Sequence, residues 1–270
     1  MINKIHLGKW EDIMPDIPDG SVDLVLTSPP YNIKLGTSKK VDRKPYDTYD
    51  DDMTNEEYLD WMEKLFIESN RVLKTGGRMV INIGDSANGK IPLHAYFTVS
   101  ALTLNLPLQN SFEPFLMMST IIWNKNQIAN RTAWGSWLSP SSPSFPTMHE
   151  YILIFSKGMY LHEGDKNKIT MNKDQFIRNA VAMWNFLPET QLMQKYDHPA
   201  MFPETLPQRV IEMLTYEDDV VLDPFCGAGT TCVVAKRNRR QYIGIEMSEK
   251  YVNASIKRLS QENPMFSYSY

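Results

Sequence analysis

The sequence has little cysteine and no long apolar run. Its 270 residues contain only two cysteines, Cys226 and Cys232, which stand close together in a glycine-rich stretch. This scarcity excludes a disulfide framework and fits a reducing compartment. No apolar stretch approaches the roughly 20 residues that a membrane-spanning helix needs, and the N-terminus lacks a signal-peptide core. We therefore expect a soluble, cytoplasmic protein with no membrane association.

An excess of basic residues is also absent, because the formal net charge is −4. A protein with this charge does not attract nucleic acid over its whole surface, although a local positive face is enough for binding. Such a face is indicated by Lys39, Lys40, Arg43 and Lys44, which lie within residues 32–52. That stretch shows no hydrophobic period and predicts a mobile loop, whose basic half either meets phosphates or is only a solvated surface.

The tetrapeptide Ser28-Pro29-Pro30-Tyr31 follows an apolar run over residues 22–27 that predicts a buried strand. Its two prolines fix two φ angles and remove two backbone donors, so the chain forms a stiff corner that offers acceptors. Ser28 adds a hydroxyl oxygen, and Tyr31 adds a flat aromatic face. Such a corner suits a planar molecule that carries an amino group.

The chemistry that needs this corner is attack by the exocyclic amine of a nucleobase. The lone pair of that amine is delocalised into the ring, and acceptors that hold its hydrogens draw the nitrogen towards tetrahedral geometry. An aromatic side chain stacked on the base holds the ring in place, at about 1–3 kcal/mol per base. No strong base is required, because the proton leaves after the new bond has formed. The alternative is a Pro-Pro turn that only closes a strand.

A second stretch indicates a nucleoside-binding site. Residues 219–223 predict a strand that runs into a loop with Gly227 and Gly229, and the next strand along the chain ends at Glu246. Glycines allow the backbone to approach a ligand, and an acidic residue about 20 positions later suits the hydroxyls of a ribose. Cys232 replaces the third glycine of the dinucleotide pattern, and no phosphate-loop lysine follows. A nucleoside is therefore favoured over a dinucleotide or a triphosphate.

The remaining elements predict a single α/β domain. Residues 54–73 form an amphipathic helical pattern with a capping box at its start, and residues 78–84 predict the next strand. The aromatic residues of that helix are interpreted as core. Residues 117–124 and 147–157 predict two paired strands, a hairpin at the edge of the sheet.

Two segments have unusual composition. Residues 123–150 interleave aromatic and polar side chains, among them Arg131, Trp134 and Trp137. This mixture is typical of a surface that handles extruded bases, or of a loop folded over its own tryptophans. Residues 158–197 are polar and show no core period, so they are either an inserted target-recognition segment or an ordinary surface excursion.

The two functional stretches together resemble the S-adenosylmethionine-dependent DNA amino-methyltransferases of the permuted β-group, in which the catalytic tetrapeptide precedes the cofactor loop. His149-Glu150 and residues 198–203 also fit the family. The resemblance implies one methyltransferase domain over residues 1–270. It implies a Rossmann-like, mostly parallel sheet with helices on both faces, an antiparallel edge hairpin and a circularly permuted motif order.

The resemblance also implies roles for individual residues. Ser28 and the Pro29 carbonyl would hold the target amine while Tyr31 stacks on the base, with Pro30 completing the catalytic corner. The residues expected to contact S-adenosylmethionine are Asp223, Phe225, Gly227, Gly229 and Thr230, with Phe202 and Pro203 near its methionine end and Glu246 on its ribose. Family members often place an aspartate after an N-terminal glycine to bind the cofactor's adenine, whereas here Lys9 follows Gly8. No metal is implied.

Within the family, serine at the first tetrapeptide position favours the 4-amino group of cytosine over the 6-amino group of adenine. Either base must leave the duplex stack before it reacts. The implied partners are double-stranded DNA and a cognate restriction endonuclease, and the enzyme is expected to be a monomer or a homodimer. A nonenzymatic nucleic-acid-binding protein is the rival interpretation, but it leaves the glycine loop and Glu246 unexplained. Methylation of RNA or of a small heteroaromatic amine would keep the same core.

Overall fold

A computed structural model of the protein describes residues 1–33, 45–49, 51–87, 91–104, 113–126, 135–143, 145 and 147–262. The strands are β1 Lys4–Leu7, β2 Val22–Thr27, β3 Leu73–Ile83, β4 Ser86–Ala87, β5 Ile91–Pro92, β6 Phe115–Asn124, β7 His149–Lys157, β8 Met183–Asn185, β9 Val220–Asp223 and β10 Gln241–Glu246. The helices are α1 Trp10–Ile13, α2 Asn55–Val72, α3 Leu93–Thr103, α4 Lys173–Asn179, α5 Gln191–Tyr196, α6 Thr205–Leu214, α7 Thr230–Arg237 and α8 Glu249–Gln261.

The main sheet has eight strands in the order β1-β10-β9-β2-β3-β7-β6-β8. The first five strands of this order are mutually parallel, β7 runs antiparallel to both β3 and β6, and β8 is parallel to β6. β4 and β5 pair separately as a short hairpin. This architecture confirms the predicted α/β fold with a mostly parallel sheet and an antiparallel pair.

Two apolar layers cover the faces of the sheet. All six residues of β2 are buried, and they alternate between the layers. Leu24 and Leu26 belong to the layer that includes α6 and α7, while Val25 belongs to the layer that includes α2 and α3. Burial on both faces explains why this central strand reads as a continuous apolar run.

The start of α2 is as predicted, but its end is not. Thr54 accepts a hydrogen bond from the Glu57 backbone, and the Glu57 side chain accepts one from the Thr54 backbone, which completes the capping box. The helix ends at Val72, before the glycine pair that was expected to stop it. The chain then enters β3 directly, and Gly76 and Gly77 lie inside this strand, where its register with β2 shifts.

The hairpin of β6 and β7 is confirmed, but it does not form the outer edge of the sheet. β8 pairs with β6 beyond it, and Trp184 of β8 is only 2% exposed. A three-residue strand is too short to show a hydrophobic period, which is why the sequence did not reveal it. The assignment of residues 158–197 to target recognition stays a prediction.

The C-terminal half continues the α/β order through α6, β9, α7 and β10. The final helix, α8, had not been predicted. Ser248 caps its first turn by accepting from the Tyr251 backbone, and Tyr251, Val252, Ser255 and Leu259 form its buried face at helical spacing. Within the described ranges, no helix has both the length and the apolar character needed to cross a bilayer.

Candidate active site

A cavity of about 1070 Å³ lies where β2, β9 and β10 end. Its wall includes the whole tetrapeptide from Ser28 to Tyr31, together with Phe225 and Gly227 of the glycine loop. The carboxyl ends of parallel strands are where open α/β sheets bind ligands. The structure therefore brings the two predicted functional stretches into one site.

A direct hydrogen bond joins these stretches. The Thr27 hydroxyl, just before the tetrapeptide, donates to the Asp223 carboxylate over 2.7 Å, and Thr231 donates to its other oxygen over 2.6 Å. The Phe225 backbone also donates to Asp223, over 3.1 Å. Burial raises the pKa of Asp223 to about 6 in spite of these three donors. Asp223 thus fixes the catalytic corner against the cofactor loop.

The glycine loop is shaped by its backbone. Gly227 has a φ of +51°, and a Cβ atom there would lie 2.7 Å from Nε2 of His198. The Gly227 amide donates to Oε2 of Glu246 over 2.9 Å, and the Ser248 amide donates to Oε1 over 2.8 Å. Burial raises the pKa of Glu246. Each carboxylate oxygen retains a lone pair that can accept a further hydrogen bond from a ligand hydroxyl.

Six of the eight residues expected at the cofactor line the cavity: Asp223, Phe225, Gly227, Thr230, Glu246 and Phe202. Gly229 and Pro203 are not part of its wall. Gly229 precedes α7 with a φ of +79°, and a Cβ atom there would lie 2.8 Å from the Ser255 side chain. Its lack of a side chain therefore serves the packing of α7 against α8.

One aromatic residue of α2 corrects the sequence interpretation. Tyr58 and Phe66 are buried in the core as predicted, but Trp61 lines the cavity. Its ring lies edge-on to Phe225 at 5.3 Å and is stacked with Tyr49 at 5.9 Å. Helical spacing alone could not separate Trp61 from the core residues, because it lies at the border of the apolar face.

The tetrapeptide is held by a side-chain network that the sequence did not reveal. The Tyr31 hydroxyl lies 3.1 Å from Oγ of Ser28 and donates to Oε2 of Glu150 over 3.0 Å. Nδ2 of Asn82 donates to the Tyr31 hydroxyl over 2.8 Å and to Oε2 of Glu150 over 2.7 Å. Lys125 forms an ion pair with Oε1 of Glu150. Burial, and then the Glu150 carboxylate, raise the pKa of Tyr31 well above its usual value, so this hydroxyl stays protonated.

Comparison with known proteins identifies the family. The model of the N6/N4 DNA methylase family matches residues 22–257. The chain belongs to the DNA methylase family.

Individual relatives agree with this assignment. The type II methyltransferase M.BglII of Bacillus subtilis is 31% identical over 97% of this chain and 70% of its own length. The DNA modification methylase TTHA0409 of Thermus thermophilus, solved with S-adenosylmethionine, has a TM-score of 0.72 and 28% identity over 98% of this chain and 96% of its own. The cytosine-N4-specific PvuII methyltransferase shares the fold, with a TM-score of 0.68 and 23% identity over 97% of this chain and 87% of its own.

This DNA methylase is an S-adenosylmethionine-dependent amino-methyltransferase. Its cavity fits that cofactor. The wall combines a glycine loop, a carboxylate at the end of β10 and the aromatic side chains of Trp61, Tyr46 and Phe225. These groups suit the hydroxyls of a ribose and the face of a purine.

Part of the predicted mobile loop covers the same cavity of the methylase. Ser248 donates to the Asp47 carboxylate over 2.6 Å, which connects residues 45–49 to the end of β10. The Tyr46 ring contacts His198 with its centroid 6.3 Å away. Tyr46 and Asp47 both line the cavity.

Most of the predicted DNA contacts lie outside the described residues: Lys39, Lys40, Arg43, Lys44, Arg131 and Trp134. Trp137 is described and is 67% exposed. It lies in a turn closed by the pairing of Gly135 with Pro143, away from the cavity wall. The roles of all seven in DNA binding stay predictions.

Proposed function

We propose that this methylase transfers a methyl group to the 4-amino group of a cytosine flipped out of double-stranded DNA. The observation that carries this proposal is the position of the Ser28 hydroxyl in the same cavity as the glycine loop. A neutral hydroxyl at the corner is the family feature that favours cytosine. The 6-amino group of adenine is the alternative, since the family includes both kinds of enzyme.

The corner supplies the acceptors for the reacting amine. We assign Oγ of Ser28 and the carbonyl of Pro29 as the two acceptors, because Tyr58 already donates to the next carbonyl, that of Pro30, over 2.6 Å. Both acceptors draw electron density towards the amine nitrogen as its lone pair leaves conjugation with the ring. The aromatic face of Tyr31 holds the base, with its hydroxyl anchored by Glu150.

The glycine loop places the methyl donor beside this corner. Bound S-adenosylmethionine supplies an electrophilic methyl group on a positively charged sulfur. Within the proposal, Glu246 holds the ribose hydroxyls, and Phe225 and Trp61 pack against the adenine. The aromatic wall also excludes water, which strengthens the electrostatic interactions within the site.

The target base reaches this cavity only after it leaves the helix, at a cost of a few kcal/mol. The basic residues Lys39, Lys40, Arg43 and Lys44 are proposed to contact phosphates and Trp137 to contact unstacked bases. Residues 158–197 are proposed to read the target sequence. A cognate restriction endonuclease is proposed as the biological partner.

One experiment tests the proposed reaction. The purified protein is incubated with labelled S-adenosylmethionine and duplex DNA, RNA or free nucleosides, and the products are hydrolysed and separated. We expect label in duplex DNA as N4-methylcytosine. Label in N6-methyladenine would replace the proposed base with the alternative, and label confined to RNA or nucleosides would overturn the DNA assignment.

A further inference from the structure

Glu150 differs from the other acidic residues of the cavity in what binds it. Asp223 accepts from Thr27 and Thr231, and the oxygens of Glu246 accept from backbone amides. Oε2 of Glu150 instead accepts from Tyr31, the residue whose hydroxyl lies next to the Ser28 hydroxyl. Glu150 is therefore the carboxylate that a chain of hydroxyl groups connects to the catalytic corner.

The donor and acceptor capacity of Ser28 gives this chain a direction. A hydroxyl has one hydrogen, and Ser28 accepts best from an amine when that hydrogen is donated elsewhere. The Tyr31 hydroxyl, 3.1 Å away, can accept it because its own hydrogen is donated to Glu150 over 3.0 Å. Hydrogen bonds in such a chain polarise one another, and an ionised acceptor at the end strengthens them.

Neighbouring side chains hold the end of the chain in place. The Glu150 side chain is only 13% exposed, and Lys125 pairs with the oxygen that does not face Tyr31. Asn82, which is 1% exposed, donates from Nδ2 to both the Tyr31 hydroxyl and Oε2 of Glu150. The ion pair favours the charged form of Glu150, and the amide fixes the two partners at hydrogen-bonding distance.

We propose that Glu150 is a positioning residue for methyl transfer, which polarises Ser28 through Tyr31 and receives the proton that the methylated amine releases. This inference rests on the proposed function and adds residues to the target-amine site. Glu150 does not touch the substrate in this scheme, because Tyr31 and Ser28 stand between them.

The proposed step balances in atoms and charge. The amine nitrogen forms a bond to the methyl carbon as the bond from carbon to sulfur breaks, and the bonding electrons stay on sulfur. The nitrogen then carries a positive charge and gives a proton to Oγ of Ser28. Ser28 passes its own proton to Tyr31, and Tyr31 passes its proton to Glu150. Glu150 becomes neutral and returns the proton to solvent.

A double-mutant cycle tests the relay. Single-turnover methyl transfer is measured for Tyr31→Phe, Glu150→Gln and the double variant, together with the Kd for S-adenosylmethionine and the KM for DNA. Because proton transfer by a positioned group contributes about 10²–10⁴-fold, we expect each single variant to lose about 10²-fold in rate. The double variant should lie within about threefold of the single variants, since either change breaks the same chain. The Kd for the cofactor should stay within about twofold.

Two further variants separate positioning from folding. Glu150→Asp keeps a carboxylate and should recover part of the rate that Glu150→Gln loses. Glu262→Gln removes a carboxylate that pairs with Arg237 away from the cavity, and it should keep the full rate. A wild-type rate in Glu150→Gln, or losses that multiply in the double variant, would overturn the relay while leaving the proposed function intact. Absence of methyl transfer to DNA by the unmodified protein would overturn the proposed function itself.

Discussion

The two halves of the cavity are built in different ways. The cofactor half consists of one continuous loop, residues 223–230, closed by Glu246 at the end of the neighbouring strand. The target half combines the tetrapeptide with Asn82, Lys125 and Glu150, which come from β3, the end of β6 and β7. Backbone geometry shapes the first half, whereas side chains from distant segments shape the second.

This difference predicts how each half responds to substitution. A change in the target half removes a hydrogen-bonding group and leaves the glycine loop in place, so it should reduce methyl transfer without reducing cofactor affinity. A change in the cofactor half distorts the loop or removes its carboxylate, so it should reduce affinity. Substitutions in both halves can therefore establish whether the division holds.

The largest effect is expected for Ser28→Ala. The variant loses the hydroxyl that accepts from the target amine, and its turnover should fall by about 10²–10³-fold. The Kd for S-adenosylmethionine should stay within about twofold, as measured by calorimetry. Ser21→Ala is the matched control, since the Ser21 hydroxyl donates to the Pro18 carbonyl outside the cavity. Wild-type turnover in Ser28→Ala would remove Ser28 from the mechanism.

The next effect is expected for Gly227→Ala. The added Cβ meets His198 and adopts a positive φ, so cofactor affinity should fall by about 10–100-fold and the free energy of unfolding by about 1–2 kcal/mol. Gly20→Ala is the control for backbone strain, because Gly20 has a similar φ of +59° with no atom within 4 Å of its Cβ position. Equal cofactor affinity in the two variants would contradict the role of the loop.

Glu246→Ala tests the carboxylate of the cofactor half. It removes the acceptor of the Gly227 amide and the proposed ribose contact, and we expect about a tenfold higher Kd for S-adenosylmethionine. Glu217→Ala, which breaks a surface ion pair with Arg239, is the control. An unchanged Kd in Glu246→Ala would show that the ribose is held elsewhere.

The smallest effect concerns the pH dependence of stability. Burial lowers the pKa of His198 to about 4, below its value of about 6.5 in an unfolded chain. The two states are equally neutral at high pH, but between about pH 6.5 and pH 4 only the unfolded state gains the proton. Stability is therefore lost as pH falls through this window.

Urea unfolding of the wild type and of His198→Gln measures this contribution. Between about pH 7 and pH 5, the unfolding free energy of the wild type should fall by on the order of 1–2 kcal/mol more than that of the variant. Tyr46, Tyr251 and Lys250 adjoin the imidazole and remain in both proteins. Parallel pH profiles would show that His198 is accessible to protons in the folded state.

The sequence predicted the elements that local patterns define. β2 appears as an apolar run, α2 begins at a capping box, and the glycine loop lies between two strands. The three-residue strand β8 has no period of its own and forms only because β6 offers a partner. The helix α8 was missed although its buried residues recur at helical spacing.

The target site was predicted only in part for a related reason. Ser28 and Tyr31 stand together in the sequence, but Glu150 is separated from Tyr31 by 119 positions, and the sheet pairing of β3 with β7 brings Asn82 near it. Side-chain contacts of this kind depend on strand order and register, which a single sequence does not encode locally. The tetrapeptide was therefore visible as a motif, while the network that holds it was not.

The most direct test is a crystal structure of the protein with S-adenosylmethionine. A reacting amine lies about 3–3.5 Å from the methyl carbon and about 3 Å from its acceptor. We therefore predict a distance of about 6–7 Å or less between the methyl carbon and Oγ of Ser28. A methyl group that points away from the tetrapeptide, more than about 10 Å from Ser28, would contradict a shared site for the two halves.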